Sequence, residues 1–278
     1  MGRWLIIAFA CLGALAAAAR AAGYDDFARG MTANNTGESA IAVDAFTAAI
    51  GAADLSPNLL PTAYRGRGLA YLRLDKCSLA IADFDKALAL KPIDIDAQAY
   101  RSSARGCTGD FAGAIADASA MITARGDGLS YRQRGIYRFA SGDFVGAAED
   151  FAKGHDLIPA YPYLVLWQAM ALARAGMLTP AAAEADWRGL KTEEWPRPVV
   201  ALYAGKGTVD QVYSGIAQKD GGPTVAAQQC EADFYVGEWW LAQKNAAAAR
   251  PLFQKAVSQC PAGFVERGGA RNELRLLK

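Results

Sequence analysis

Five cysteines and one histidine are the residues with which this sequence could do redox, metal or acid–base chemistry. Cys11 lies in an apolar N-terminal run, while Cys77, Cys107, Cys230 and Cys260 are spread over the body of the chain. Four cysteines in an exported chain read as a disulfide framework with three pairings open, buried thiols being the alternative. A metal site is not indicated, because no Cys-x-x-Cys or nearby histidine accompanies them. His155, in "FAKGHDLIP", stands at the end of a helical stretch and suits an interaction with the helix dipole better than the role of a base. "GKGT" at 205–208 has Val200 where a phosphate loop needs glycine, and no strand precedes it. "NNT" at 34–36 and "ADFDKA" hold amides and carboxylates at spacings that suit turns and helix faces equally. No nucleophile, base and orienting group come together, so catalytic residues, cofactor and metal are all expected to be absent.

What remains is binding chemistry. The string "YRxRG" occurs at 64–68 and again at 131–135, placing an arginine directly after a tyrosine both times. Lys and Arg number 29 against 28 Asp and Glu in 278 residues, a balance that points to no nucleic-acid partner. With 53% apolar residues the chain has ample material for a core.

The N-terminus reads as an export signal over residues 1–21. Arg3 gives a positive start, Trp4 to Ala19 are almost wholly apolar, and Ala19-Arg20-Ala21 offers small residues for cleavage before Ala22. That apolar run is short for a membrane span, so membrane attachment is not expected once it is removed. A retained anchor is one alternative and lipid anchoring at Cys11 the other, although Phe9 stands where lipoprotein processing needs a small residue. Loss of Arg3 and Arg20 leaves 27 basic against 28 acidic residues, a formal charge of −1. A periplasmic or secreted location follows.

The rest of the chain repeats itself. Tyr64, Gly68, Tyr71, Ala80, Phe84, Ala87 and Pro92 set a frame. Gly237, Trp240, Ala249, Phe253, Ala256 and Pro261 reproduce its last five spacings, and Tyr131, Gly135, Ala147, Phe151 and Pro159 fit it too. Weaker copies start at Gly37 with Ala42, Phe46 and Ala49, at Gly109 with Phe111 and Ala114, and at Gly176 with Ala181 and Ala185; "GDF" recurs at 109 and 142. The third copy has Ser102 and Arg105 in place of the glycine and second tyrosine, so its first helix is expected to be shifted or shortened.

These anchors resemble the tetratricopeptide repeat, a helix-turn-helix of about 34 residues. The resemblance implies an all-α fold, a right-handed α-solenoid of stacked hairpins, because one hairpin cannot bury its own apolar face. About five repeats are expected over 22–190. Pro196 and Pro198 then break the period, two short helices follow, and a C-terminal unit over 191–278 holds one good repeat and a final helix at Glu266 to Leu277. In that tail, "WPRPVVALYAGKGTVDQV", "CEADFYVGEWWLAQKNAAAARPLFQKAV" and "FVERGGARNEL" resemble the NlpI-type tetratricopeptide lipoproteins of bacterial envelopes. That likeness implies a non-enzymatic scaffold or adaptor docking peptidoglycan-processing enzymes or proteases, and a homodimer. The alternatives are an envelope hydrolase or cofactor-binding protein with an unrecognised site, and a chaperone-like secretion or assembly factor.

In the repeat frame the cysteines pair naturally. Cys77 opens a second helix and Cys107 closes the next first helix, while Cys230 and Cys260 lie at the same end of the last hairpin. Bridges Cys77–Cys107 and Cys230–Cys260 are expected. The frame also turns Arg65, Leu69, Arg73, Tyr100, Arg132, Gln133, Ile136, Trp167 and Met170 toward a concave groove suited to an extended peptide or its carboxylate, a solvated face with ordinary salt bridges being the alternative.

Overall fold

A computed structural model describes residues 23–52, 55–56, 58–179, 181, 195–218, 223–261 and 263–277. The leader 1–21 with Cys11, and the expected division between 190 and 191, lie outside them. The described residues form helices joined by short turns, with no strand among them, and divide into two compact units, one up to Thr108 and one from Gly109.

The first unit holds α1 (23–36), α2 (Ser39–Gly51), α3 (Leu60–Arg73), α4 (Cys77–Leu90) and α5 (Ile95–Thr108), with α2 to α5 packed in succession. Small and aromatic residues recur at helical spacing, so each helix presents an apolar stripe: Ala42, Phe46 and Ala49 in α2, Ala80, Phe84 and Ala87 in α4, all fully buried. The hairpins close tightly because a glycine faces each phenylalanine. A β-carbon on Gly68 would lie 2.7 Å from Phe84 Cε1, and one on Gly66 only 2.4 Å from Phe46 Cζ. Helix α5 is neither shortened nor displaced: it has 14 residues, as α3 does, and Ser102 in the glycine's place is fully buried.

The second unit holds α6 (Phe111–Arg125), α7 (Gly128–Ser141), α8 (Phe144–Leu157), α9 (Pro162–Arg174), α10 (Arg197–Tyr203), α11 (Val209–Ser214), α12 (Val225–Ala242), α13 (Ala246–Gln259) and α14 (Val265–Leu276). The glycine-to-ring contact recurs, with Gly135 against Phe151 and Gly237 against Phe253. Both "GDF" turns share one geometry. Gly109 and Gly142 take left-handed φ values of +84° and +90°, and the following aspartates, Asp110 and Asp143, accept the N–H of Gly113 and Gly146 as helix caps. The equivalent positions before α4 and α13 are Asp75 and Lys244, which adopt the same left-handed turn without glycine.

Helix α9 is buried nearly all round. Leu164 to Trp167 and Ala169 to Ala171 are closed off because α8, α10 and α12 all pack on it. Its Trp167 sits among Phe139, Phe151, Phe234 and Tyr235, with ring centroids 5.5–6.2 Å apart.

Candidate functional site

The four body cysteines form two bridges, Cys77–Cys107 and Cys230–Cys260, with Cα separations of 6.2 and 5.0 Å. Each closes a 30-residue span; the first ties the start of α4 to the end of α5, and the second joins Cys230, within α12, to the C-terminal end of α13.

The residues assigned to a groove are placed less uniformly. Trp167 and Ile136 are 2% and 9% exposed and belong to the core, as does fully buried Met170. None of these three offers a wall to a ligand, because α12 and α8 cover the faces they occupy. Tyr100 stacks on Phe84 at 5.9 Å and helps to seal the first unit. Leu69 is half-buried, while Arg73 is exposed and donates from Nη1 to the Asn34 carbonyl at 2.6 Å. Gln133 donates to the Tyr137 hydroxyl.

The two arginines that follow tyrosine differ sharply. Arg65 Nη1 donates to both oxygens of Asp94 at 2.8 Å and lies 3.5 Å from Asp96. Burial raises the Asp94 pKa, but the Ala97 N–H and Arg65 together hold it below the usual carboxylate value. Arg132, in contrast, lays its guanidinium over the Tyr161 ring at 5.8 Å and has no carboxylate in ion-pair contact among the described residues. Its Nε is buried without a hydrogen-bond partner.

The second arginine of each "YRxRG" is a structural tie that the spacing alone did not disclose. Arg67 forks onto Asp83, and Arg134 onto Asp150, through Nε and Nη2 at 2.6–2.8 Å. The signal is present in sequence as an Asp one place before each core phenylalanine, 16 residues after the arginine.

A second polar assembly lies where α9, α12 and α14 meet. Glu231 and Glu238 are seven residues apart on α12, Glu266 and Glu273 seven apart on α14, and seven residues return to the same helix face. All four are buried. Glu231 Oε2 accepts from Tyr163 Oη at 2.9 Å and from Trp195 Nε1 at 2.6 Å, and Glu266 accepts from Tyr235 Oη at 2.8 Å. Arg174 pairs with Glu238 and reaches Glu273 at 3.4 Å, its guanidinium resting 4.6 Å above the Phe144 ring. Glu238 Oε1 is buried without a partner. Burial pushes Glu231 up to about 7, helped by the charge of Glu266, and raises Glu238, Glu266 and Glu273 as well.

The remaining motifs resolve into structure. Thr208 of "GKGT" caps α11 in a reciprocal pair of hydrogen bonds with Gln211, and His155 occupies the last turn of α8. Among the described residues no group of three or more His, Cys, Asp and Glu side chains is arranged to hold a metal ion, and no helix is long and apolar enough to cross a membrane.

No family model matches the sequence. Solved structures do match the fold. A tetratricopeptide repeat protein from Parabacteroides merdae is 17% identical, with 92% of this chain and 98% of that one covered and a TM-score of 0.62. The MamA protein is 16% identical over 66% of this chain and 93% of its own, at 0.54. PilF of Pseudomonas aeruginosa is 14% identical over 92% and 99%, at 0.51. The chain thus has the all-α tetratricopeptide solenoid fold.

Proposed function

We propose that this chain is an exported, non-enzymatic adaptor of the bacterial cell envelope that docks a protein partner and engages one of its carboxylates through Arg132. The observation that carries the reading is the state of that guanidinium: half-buried, seated on Tyr161, with Nε shielded from water and no acceptor among the described residues. A cation so placed has already lost part of its hydration, so a charge-assisted hydrogen bond to an incoming carboxylate contributes about 1.5–3 kcal/mol. Arg65 makes no such offer, because Asp94 already occupies its fork. Two bridged cysteine pairs support residence in an oxidising compartment. The likeness of the tail to envelope tetratricopeptide lipoproteins supports peptidoglycan-processing enzymes or proteases as the partner class.

Affinity capture from envelope extract with the mature chain, followed by titration of the recovered partner, tests this. Arg132→Ala weakens binding about tenfold to a hundredfold, whereas Arg65→Ala leaves affinity unchanged and lowers thermal stability. Equal affinity of Arg132→Ala and the unsubstituted protein rejects the docking site. Turnover of an envelope substrate by the pure protein rejects the adaptor.

A further inference from the structure

Helix α14 is docked by a face that is unusually polar for a buried one. Its buried positions are Glu266, Ala270, Asn272 and Glu273, and the opposing helix α12 sets Glu231 and Glu238 at the same spacing. Glu266 follows Glu231 by 35 residues and Glu273 follows Glu238 by the same 35. The two helices therefore meet in two rungs, with the charge of Glu266 bearing on Glu231 and that of Glu273 on Glu238.

The two rungs are compensated differently. The Glu231/Glu266 rung has no guanidinium in ion-pair contact among the described residues and accepts from Tyr163, Trp195 and Tyr235, whereas Arg174 lies between the carboxylates of the other. In that second rung two carboxylates and one guanidinium are neutral when one proton is retained, and negative when it is lost. Like charges buried at short range are unfavourable, and the partnerless Oε1 of Glu238 is an atom on which such a proton can sit. The other groups facing the rungs are phenols, Tyr163 from α9, Tyr203 from α10 and Tyr235 from α12, all held un-ionised by burial. Asp233 of α12 turns away to Tyr213 and Gln229.

We propose that α14 is a proton-operated strap, seated on α12 with one proton held in each carboxylate rung and released when those protons leave. Its apolar contacts lie mostly at the edge of the core: Gly269 lies on Phe234, Ala270 is fully buried, and Val265 and Leu274 are only partly buried. Its polar ties include Tyr235 to Glu266, Asn272 Nδ2 to the Ala140 carbonyl at 3.0 Å and Arg267 Nε to the Val257 carbonyl at 3.2 Å. Helix α13 is fastened differently, by the Cys230–Cys260 bridge and by Phe253. Release of α14 uncovers Phe234 and the Arg174 guanidinium for another contact, so the strap ties surface exposure in this unit to pH. The inference does not depend on the Arg132 docking reading. The raised pKa values of all four glutamates, with Glu231 at about 7, put the response near neutral pH.

Hydrogen exchange followed by mass spectrometry between pH 6 and pH 8.5, corrected for the intrinsic rate, tests the strap on the full mature chain. Protection of α14 amides falls as pH rises, by about tenfold per pH unit for each proton released, while α13 keeps its protection. In Glu266→Gln/Glu273→Gln the response is flat. Loss of protection equal in α13 and α14, no change over the range, or an unaltered response in the double variant overturns the proposal. Should that variant fail to fold, carboxyl carbon NMR of the unsubstituted protein decides: fewer than two of the four glutamates ionising above about pH 6 refutes it, and two or more sustain it.

Discussion

Arg67 and Asp83 close a two-bond fork, Nε to Oδ2 at 2.7 Å and Nη2 to Oδ1 at 2.8 Å, between the two helices of one hairpin. Arg134 and Asp150 repeat it in the second unit. In both, the guanidinium also lies 5.6–5.7 Å from the centroid of the tyrosine that opens the motif, Tyr64 or Tyr131. The carboxylate is almost fully covered, whereas the Arg67 side chain keeps 14% of its surface in water. Removal of the two partners is therefore not equivalent. Arg67→Ala leaves a buried carboxylate unpaired and lowers stability by about 3 kcal/mol, while Asp83→Asn leaves a guanidinium that can turn to solvent and costs about 1 kcal/mol. Urea unfolding of the two variants checks the order, and equal or reversed losses would contradict it.

Gly135 predicts a packing penalty. A β-carbon there would stand 2.8 Å from Phe151 Cε1, and that ring is fully buried with no room to retreat. Gly135→Ala lowers stability by about 1–3 kcal/mol through overpacking. Adding Phe151→Leu, which shortens the opposing side chain, recovers part of the loss. A double variant whose melting temperature shows the two penalties simply added would mean that the close approach is not what the glycine serves.

Most of the fold was legible because the same physical problem recurs. Gly68, Gly135 and Gly237 with Phe84, Phe151 and Phe253 are three solutions to one close helix crossing, and the eye finds them by spacing. The cysteine pairing followed from that frame, since antiparallel neighbours bring helix start and helix end together. The groove assignment was less legible. Trp167 reads as a wall residue when α9 is taken as an ordinary first helix, but Phe234 and Tyr235 of α12 pack on its ring, and the loss of the period before the last copy gives the frame no means of placing α12 against α9. The glutamates were missed for a different reason. Glu231 and Glu238 sit in "CEADFYVGEWW", where charged residues suggest a solvated stripe, and only packing against α14 reveals that the stripe faces inward.

The bridges make a quantitative prediction. Each closes a loop of 30 residues, for which restriction of the unfolded chain is worth on the order of 3–4 kcal/mol. Cys230→Ala/Cys260→Ala lowers stability by that amount, whereas dithiothreitol acting on the unsubstituted protein removes both contributions together. Non-reducing peptide mapping recovers Cys77 with Cys107 and Cys230 with Cys260. A Cys107–Cys230 peptide would show that the bridges in solution differ from those of the fold.

Glu231 gives stability a pH dependence of defined sign. Its folded pKa of about 7 lies above the ordinary 4.5, first because it is buried and then because Glu266 is near, against the hydrogen bonds from Trp195 and Tyr163 that favour the ionised form. Between those two values the unfolded chain has already lost the proton that the folded chain still holds. Stability therefore falls as pH rises through this window: the penalty is absent below about 4.5 and complete above about 7, at roughly 3 kcal/mol for a displacement of that size. Glu231→Gln keeps an oxygen to accept from both donors and carries no charge, so it removes this part of the slope. Unfolding free energies at pH 5 and pH 8 check it, with a larger gap for the unsubstituted protein than for the variant. Asp94, whose folded pKa is lowered, acts in the opposite sense and only at acid pH, where its protonation frees Arg65; it does not mask the neutral window. Identical slopes in Glu231→Gln and the unsubstituted protein would place the titrating group elsewhere.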